Sequence, residues 1–196
     1  MSARGAMARQ TLPAGEADAV HRRHVVSALV VDRPGTLNRV SGLLRARSFN
    51  IESLTVGTTD QPGRSRMTIA IRGDDGHLRQ VLAQLERLID VLEVTDLTNL
   101  PRIELELVLV ELDPPQTAAE ELALEGVLAS AGGETLSTGT DVWRARLTAP
   151  PDTIDQALDA LREHGLRSLV RAGAVAMAAD PTETNPPHSE NGATQA

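Results

Sequence analysis

The chain has 196 residues and a net charge of −8, with no Cys, no Tyr, one Phe and one Trp. That length holds one large or two small domains, while the acidic balance and the scarcity of aromatics exclude a phosphate-backbone interface and a base-stacking platform. The lack of Cys excludes disulfides, thiolate nucleophiles and zinc–sulfur sites, and no apolar run approaches the ~20 residues that span a bilayer. Met1–His21 is polar and lacks a hydrophobic leader core, so the expectation is a soluble, cytoplasmic chain with neither membrane nor nucleic acid as partner, its residues 1–23 a flexible extension.

Val25–Val31 is a β-branched run suited to a buried strand. Asp32-Arg33-Pro34-Gly35 then turns the chain, and Thr36–Arg47 sets Leu37, Val40, Leu43 and Leu44 on one helical face with Arg39, Arg45 and Arg47 on the other. Glu52–Thr58 reads as a second strand. After Asp60-Gln61-Pro62-Gly63, Met67, Ile69 and Ile71 alternate with Thr68 and Ala70 as a half-buried third. Leu78, Val81, Leu82, Leu85, Leu88 and Ile89 recur at helical spacing behind Asp74-Asp75, a capping pattern, and Val91–Leu97 supplies a fourth strand. The order βαββαβ implies a ferredoxin-like sandwich, an antiparallel sheet with both helices on one face.

Beyond a linker at Thr98–Arg102 the order recurs. Ile103–Leu112 alternates Leu105, Leu107 and Leu109 against Glu104, Glu106 and Val108, and Glu120–Ala131 is helical. Val142–Leu147 is a strand containing Trp143; Ile154, Ala157, Leu158 and Leu161 form a helix stripe, and Leu166–Met177 closes with a strand. The fold class is therefore α+β, two tandem ferredoxin-like βαββαβ sandwiches at residues 24–98 and 103–179. Residues 180–196 carry Pro, Asn, Thr and Ser without an apolar period and are expected to be a disordered tail.

No Ser/His/Asp order, Walker loop, GxGxxG turn or zinc motif is present, so a noncatalytic chain is expected, binding no metal or cofactor. His21, His24, His77, His164 and His188 lack paired metal-ligand spacing and read as surface or incidental. Glu104, Glu106 and Glu111 read as a solvated sheet face, and the carboxylates in Thr117–Glu121 complement a helix dipole. The Asp32–Leu37 turn differs, because its parts converge on an α-amino acid. N–H groups at Gly35–Leu37 head a helix and suit a carboxylate, and Gly35 has no Cβ to obstruct approach. Asp32 and Asn50 can accept from an ammonium, while Leu37 and Ile51 can line a small aliphatic pocket. The candidate site is Asp32, Pro34, Gly35, Thr36, Leu37, Asn50 and Ile51. On residue types alone, a plain turn at Pro34-Gly35 and a strand-entry role for Asn50 stay open.

Four stretches carry a family resemblance: Asp32-Arg33-Pro34-Gly35-Thr36-Leu37, Phe49-Asn50-Ile51-Glu52-Ser53-Leu54-Thr55-Val56-Gly57, Ser65-Arg66-Met67-Thr68-Ile69 and Leu85-Glu86-Arg87-Leu88-Ile89-Asp90-Val91. In order and spacing they resemble the regulatory small subunits of acetohydroxyacid (acetolactate) synthase, whose first half is an ACT domain. The resemblance implies a noncatalytic subunit of branched-chain amino-acid biosynthesis. It would pair with a second copy through the ACT domains, activate a catalytic large subunit, and confer feedback inhibition by valine or a related amino acid. Thiamine diphosphate, magnesium and FAD would reside in that catalytic partner. A free-standing ACT sensor controlling a different enzyme is the alternative. Ser48 departs from the family, standing where a glycine usually precedes the Phe-Asn pair; a left-handed backbone there would cost roughly 1–2 kcal/mol. Gln61 and Arg64 alter the following loop. The second half resembles the family more loosely, through Arg171-Ala172-Gly173-Ala174-Val175-Ala176, and lacks a Phe-Arg pair expected after the third helix.

Overall fold

The computed structural model describes residues 22–46 and 50–180. Of the expected flexible extension at residues 1–23, Arg22 and Arg23 instead open the first strand, in register with Gly73 and Arg72, because their backbone completes a ladder with a partner strand distant in sequence. Its residues 1–21, with His21, the Ser48 and Phe49 positions, His188 and the tail beyond 180, lie outside the described residues. In chain order the elements are β1 (Arg22–Val31), α1 (Thr36–Ala46), β2 (Asn50–Thr58), β3 (Arg64–Gly73), α2 (Asp75–Leu85) and β4 (Val91–Asp96). There follow β5 (Arg102–Leu112), α3 (Ala118–Ser130), β6 (Glu134–Thr138), β7 (Trp143–Ala149), α4 (Pro151–Glu163), β8 (Leu166–Arg171) and β9 (Val175–Ala178).

The first sheet runs β2-β3-β1-β4, all antiparallel, which is the ferredoxin-like order expected. Val26, Ala28, Val30, Met67, Ile69 and Ile71 face Val40 and Leu44 of α1 and Leu78, Val81, Leu82 and Leu85 of α2 in one core. α2 starts where Asp74 Oδ1 accepts from His77 N–H at 2.8 Å, so the capping role read for Asp74 is met, and Asp75 pairs with Arg22 at 2.8 Å. That backbone hydrogen bond is the chief reason the Asp74 carboxyl titrates below its ordinary value. α2 ends at Leu85, short of the stripe drawn to Ile89. The chain tightens there, Leu88 N–H bonding the Leu85 carbonyl at 3.0 Å, and Ile89 is left 87% exposed.

Two further expectations change with tertiary context. β3 is not half-buried: Thr68 and Ala70, on the face away from the helices, are buried too. The Ala174–Ala178 segment covers that face, with Ala176 packing on Val25 and Leu97 and its N–H reaching Thr68 Oγ1 at 3.4 Å. His24 is likewise fully buried rather than at the surface, its Nε2–H donating to the Gly73 carbonyl at 3.0 Å.

The second sheet runs β6-β7-β5-β8, with β9 paired to the opening residues of β5. β6 was missed by periodicity because it is a five-residue edge strand with a bulge between Thr135 and Ser137 and one apolar residue, Leu136. The stretch Leu166–Met177 is two strands, since Ala172–Ala174 leaves one ladder before β9 joins another part of β5. The phase of β5 is also reversed from the reading of Leu105, Leu107 and Leu109 as its apolar stripe. Val108, Val110 and Leu112 enter the core with Trp143, Leu147, Leu124 and Ile154, while Leu107 and Leu109 are 43% and 44% exposed. Glu106 shares the buried face and is not solvated; Arg171 donates to it at 2.6 Å.

Candidate functional site

The β1–α1 turn is shaped by its own main chain and by Gly35. Asp32 N–H bonds the Gly63 carbonyl at 2.8 Å, Thr36 N–H bonds the Arg33 carbonyl at 3.3 Å, and Arg39 N–H opens the helical ladder on the Gly35 carbonyl at 3.0 Å. Gly35 has φ +91°, a region where L side chains are strained. Its position just ahead of α1 leaves no side chain there to cap the helix. α1 also has no acid in its first turn, whereas α2 and α3 are capped by Asp74 and Thr117 and α4 carries Asp152 in its first turn. The N-terminal dipole of α1 is thus uncompensated by its own sequence, which favours an external anion. Thr36, 3% exposed, adds a buried hydroxyl with no hydrogen-bond partner among the described residues. Such orphans carry a desolvation cost that a ligand can relieve.

Asp32, Pro34, Gly35 and the half-exposed Leu37 present an open surface beside that helix end. Asn50 and Ile51 are elsewhere. On β3, the end of β1 registers with Arg64 through Val31, while Asn50 registers with Arg72. The eight positions between them amount to about 26 Å at ~3.3 Å per residue. Within one chain the two groups of candidate residues therefore lie at opposite ends of the sheet.

Three side chains at the turn escaped the sequence reading. Arg33 and Arg39 both pair with Asp90, which is 2% exposed and precedes β4. Arg39 reads as solvent-facing by helical period, and only the approach of the α2–β4 connection gives it a partner. Nothing in the spacing of Arg33, Arg39 and Asp90 announces the cluster.

A cleft of about 520 Å³ lies between the two halves, lined by Arg23, Glu52, Arg72, Glu106, Asp155 and Arg171 among others. Except for Asp152 at its edge, its charges are mutually paired among the described residues. Arg23 contacts Glu52 at 3.2 Å and Glu104 at 2.6 Å, Arg72 contacts Glu52 at 2.6 Å, and Arg171 contacts Asp155 at 2.6 Å. Glu104 is consequently an ion-pair residue joining the halves rather than part of a solvated face. Burial pushes its carboxyl up, but hydrogen bonds from Arg23 and Arg102 outweigh this and hold it below the ordinary value. Glu111 also pairs, with Arg144 at 2.8 Å, on a more exposed part of the strand.

The α3 start, the counterpart of the β1–α1 turn, is internally satisfied. Thr117 Oγ1 accepts from Glu120 N–H at 3.2 Å, and Glu120 Oε2 accepts from Gln116 N–H at 2.7 Å. The adjoining groove contains Asp113, Glu120, Asp141 and Glu163 beside Arg167, an excess of negative charge that disfavours a further carboxylate.

The family model described as "AHAS small subunit-like ACT domain" matches residues 26–93, spanning the turn and both candidate clusters. A probable acetolactate synthase small subunit of Archaeoglobus fulgidus is 38% identical over 156 residues, 79% of this chain and 96% of that protein. The acetolactate synthase small subunit of Bacillus subtilis is 32% identical over 80% of this chain and 90% of its own length. The crystal structure of the Thermotoga maritima acetolactate synthase small subunit superposes with a TM-score of 0.72 at 30% identity, covering 80% of this chain and 97% of that one. The likeness runs through both sandwiches, and the chain belongs to the acetolactate synthase small-subunit family, with an ACT domain as its first half.

Proposed function

We propose that this chain is the noncatalytic regulatory subunit of an acetolactate synthase, raising the turnover of the catalytic large subunit and conveying feedback inhibition by valine or a related branched-chain amino acid. The observation that carries the effector site is the uncompensated N-terminus of α1, with Gly35 at φ +91° and the orphaned Thr36 hydroxyl beside it. A zwitterionic effector would place its carboxylate on the Gly35 and Leu37 N–H groups, the Thr36 N–H being bonded to the Arg33 carbonyl, and its ammonium toward Asp32, with Leu37 beside a short aliphatic side chain.

The remote position of Asn50 and Ile51 supports a site shared by two copies. β2 is an edge strand, and a second copy paired antiparallel along it would bring the Asn50 end of one sheet toward the turn end of the other. Carboligation of pyruvate with pyruvate or 2-oxobutanoate, with its thiamine diphosphate, magnesium and FAD, belongs on this reading to the large subunit. The family likeness over both sandwiches favours this role above that of a free-standing ACT sensor for another enzyme. Reconstitution tests it. The purified chain should make no acetolactate from pyruvate, should co-purify with the large subunit and increase its turnover, and should render that turnover sensitive to valine. Activity of the chain alone, or a lack of stimulation in the complex, would refute the assignment.

A further inference from the structure

Besides the hydrogen bond from Asp32 N–H to the Gly63 carbonyl, the turn that bears the proposed site is held to the body of the first domain by Asp90, a residue with a buried carboxylate. Asp90 grips it at three points. Its backbone carbonyl accepts from Val31 N–H at 2.8 Å, Oδ1 lies 3.1 Å from Arg33 Nε, and Oδ2 lies against the Arg39 guanidinium. These are the last residue of β1, the residue before Pro34-Gly35, and the first turn of α1. Arg33 and Arg39 are 56% and 46% exposed, whereas Asp90 is almost fully withdrawn from water. Neither carboxylate oxygen has a hydrogen bond of good geometry among the described residues, so the attraction is mainly coulombic. Burying a carboxylate to meet two half-solvated guanidiniums is a poor source of stability, because desolvation offsets most of the gain. Its effect is on geometry: a Cβ placed on Gly35 would lie 3.4 Å from Arg39 Nη1, so the guanidinium held by Asp90 stands over the main chain that an effector carboxylate must approach.

We propose that Asp90 is a positioning residue of the effector site, holding Arg33 and Arg39 so that the Gly35 and Leu37 N–H groups and the Arg39 guanidinium together face the carboxylate of a small aliphatic α-amino acid. The inference rests on the reading of the β1–α1 turn as the effector site. Charge alone would have the opposite consequence, because removing the carboxylate leaves two cations uncompensated and should tighten anion binding. The sign of the effect therefore decides between them.

The test uses the reconstituted complex, with L-valine as probe and L-valinamide, which lacks the carboxylate, as its comparison. Asp90→Asn, nearly isosteric, should weaken valine inhibition about tenfold, stimulation of turnover should persist, and valine's advantage over valinamide should shrink. Arg39→Gln should have the same effect, and the double variant should be no worse than either single one, as expected for residues acting through each other. Unchanged or tighter valine binding in a folded Asp90→Asn protein overturns the proposal. If that variant does not fold, Arg39→Gln, altering a half-exposed side chain, decides alone, and unchanged inhibition there is equally fatal. Gly35→Asp separates the two levels. Loss of valine response in Gly35→Asp but not in the Asp90 and Arg39 variants removes only the brace; an intact response in Gly35→Asp removes the site on which the brace depends.

Discussion

The two helix-entry turns, β1–α1 and β5–α3, occupy equivalent places in successive sandwiches and are built for opposite ends. At the second, the Thr117 hydroxyl caps the helix by accepting from Glu120 N–H while the Glu120 carboxylate accepts from Gln116 N–H, one residue ahead of the cap, and the neighbouring groove is rich in carboxylates. At the first, a glycine replaces the cap, no acid occupies the first turn, and a buried threonine hydroxyl has no hydrogen-bond partner among the described residues. One helix end has consumed its own binding capacity. The other has kept it, which is how a repeated fold can confine ligand recognition to one copy. The sheets differ in the same direction: helices cover one face of the first sheet and Ala174–Ala178 the other, whereas the outer face of the second leaves Leu107, Leu109 and Val170 exposed.

The severest break in this comparison is Gly35→Asp, which adds a like charge and a side chain at a positive φ where the effector carboxylate is proposed to bind. Valine affinity should fall more than tenfold, at least ~1.4 kcal/mol, with stimulation of the large subunit retained. Calorimetric titration and inhibition curves on the complex measure both. Asn50→Ala should also weaken binding, by about 1–3 kcal/mol. Because the two positions lie at opposite ends of one sheet, mixing the two variants should restore binding to one site per mixed dimer; no recovery on mixing would mean the site is not shared between copies.

Next in size is the seam between the halves. A Cβ on Gly173 would stand 2.5 Å from Thr55 Oγ1 and 3.2 Å from Ser53 Cβ, so Gly173→Val should lift Ala174–Ala178 from the first sheet. The expected loss is about 1–3 kcal/mol, read as a lower thermal midpoint of roughly 2–4 °C per kcal/mol in a chain this long. An unchanged midpoint would show that the covering segment contributes little.

Thr117→Ala sharpens the contrast from the other side. Loss of the cap should cost about 1 kcal/mol in urea unfolding, with valine inhibition unaltered, since that turn is not read as a ligand site. The smallest effect concerns pH. Because the folded Glu104 carboxyl titrates below its ordinary 4.5, its contribution to the seam is full above about pH 4.5 and is lost as pH falls through the lower folded value. The stability advantage of the native protein over Glu104→Gln should therefore be constant near neutrality and vanish in acid.

Local chemistry made much of the first sandwich legible. Val25–Val31, the Pro34-Gly35 turn, the helical stripe through Leu78 and Leu85 and the Asp74 cap are all signals spanning a few residues, and the folded chain uses each of them. Less was legible in the second sandwich, where the five-residue β6 has one apolar side chain and β8 and β9 run together as a single apolar stretch. At the site, the residues of the turn could be named from their types. Asp90 could not be joined to Arg33 and Arg39, because an ion pair across fifty or more positions leaves no periodic trace.

The sequence by itself therefore determined where most strands and helices form, β6 and the break between β8 and β9 apart, and which turn lacks its own cap, since propensity, alternation and capping act between near neighbours. Tertiary structure alone decided which side of each element is covered. An alternating strand has the same period whichever face meets the helices, so the burial of Val108 instead of Leu107, and of Glu106 against Arg171, followed from α3 and α4 packing on that side. The same holds for Thr68 and Ala70, buried only because a strand from the other half lies over them, and for Asn50, set about 26 Å from the turn by strand register at ~3.3 Å per residue.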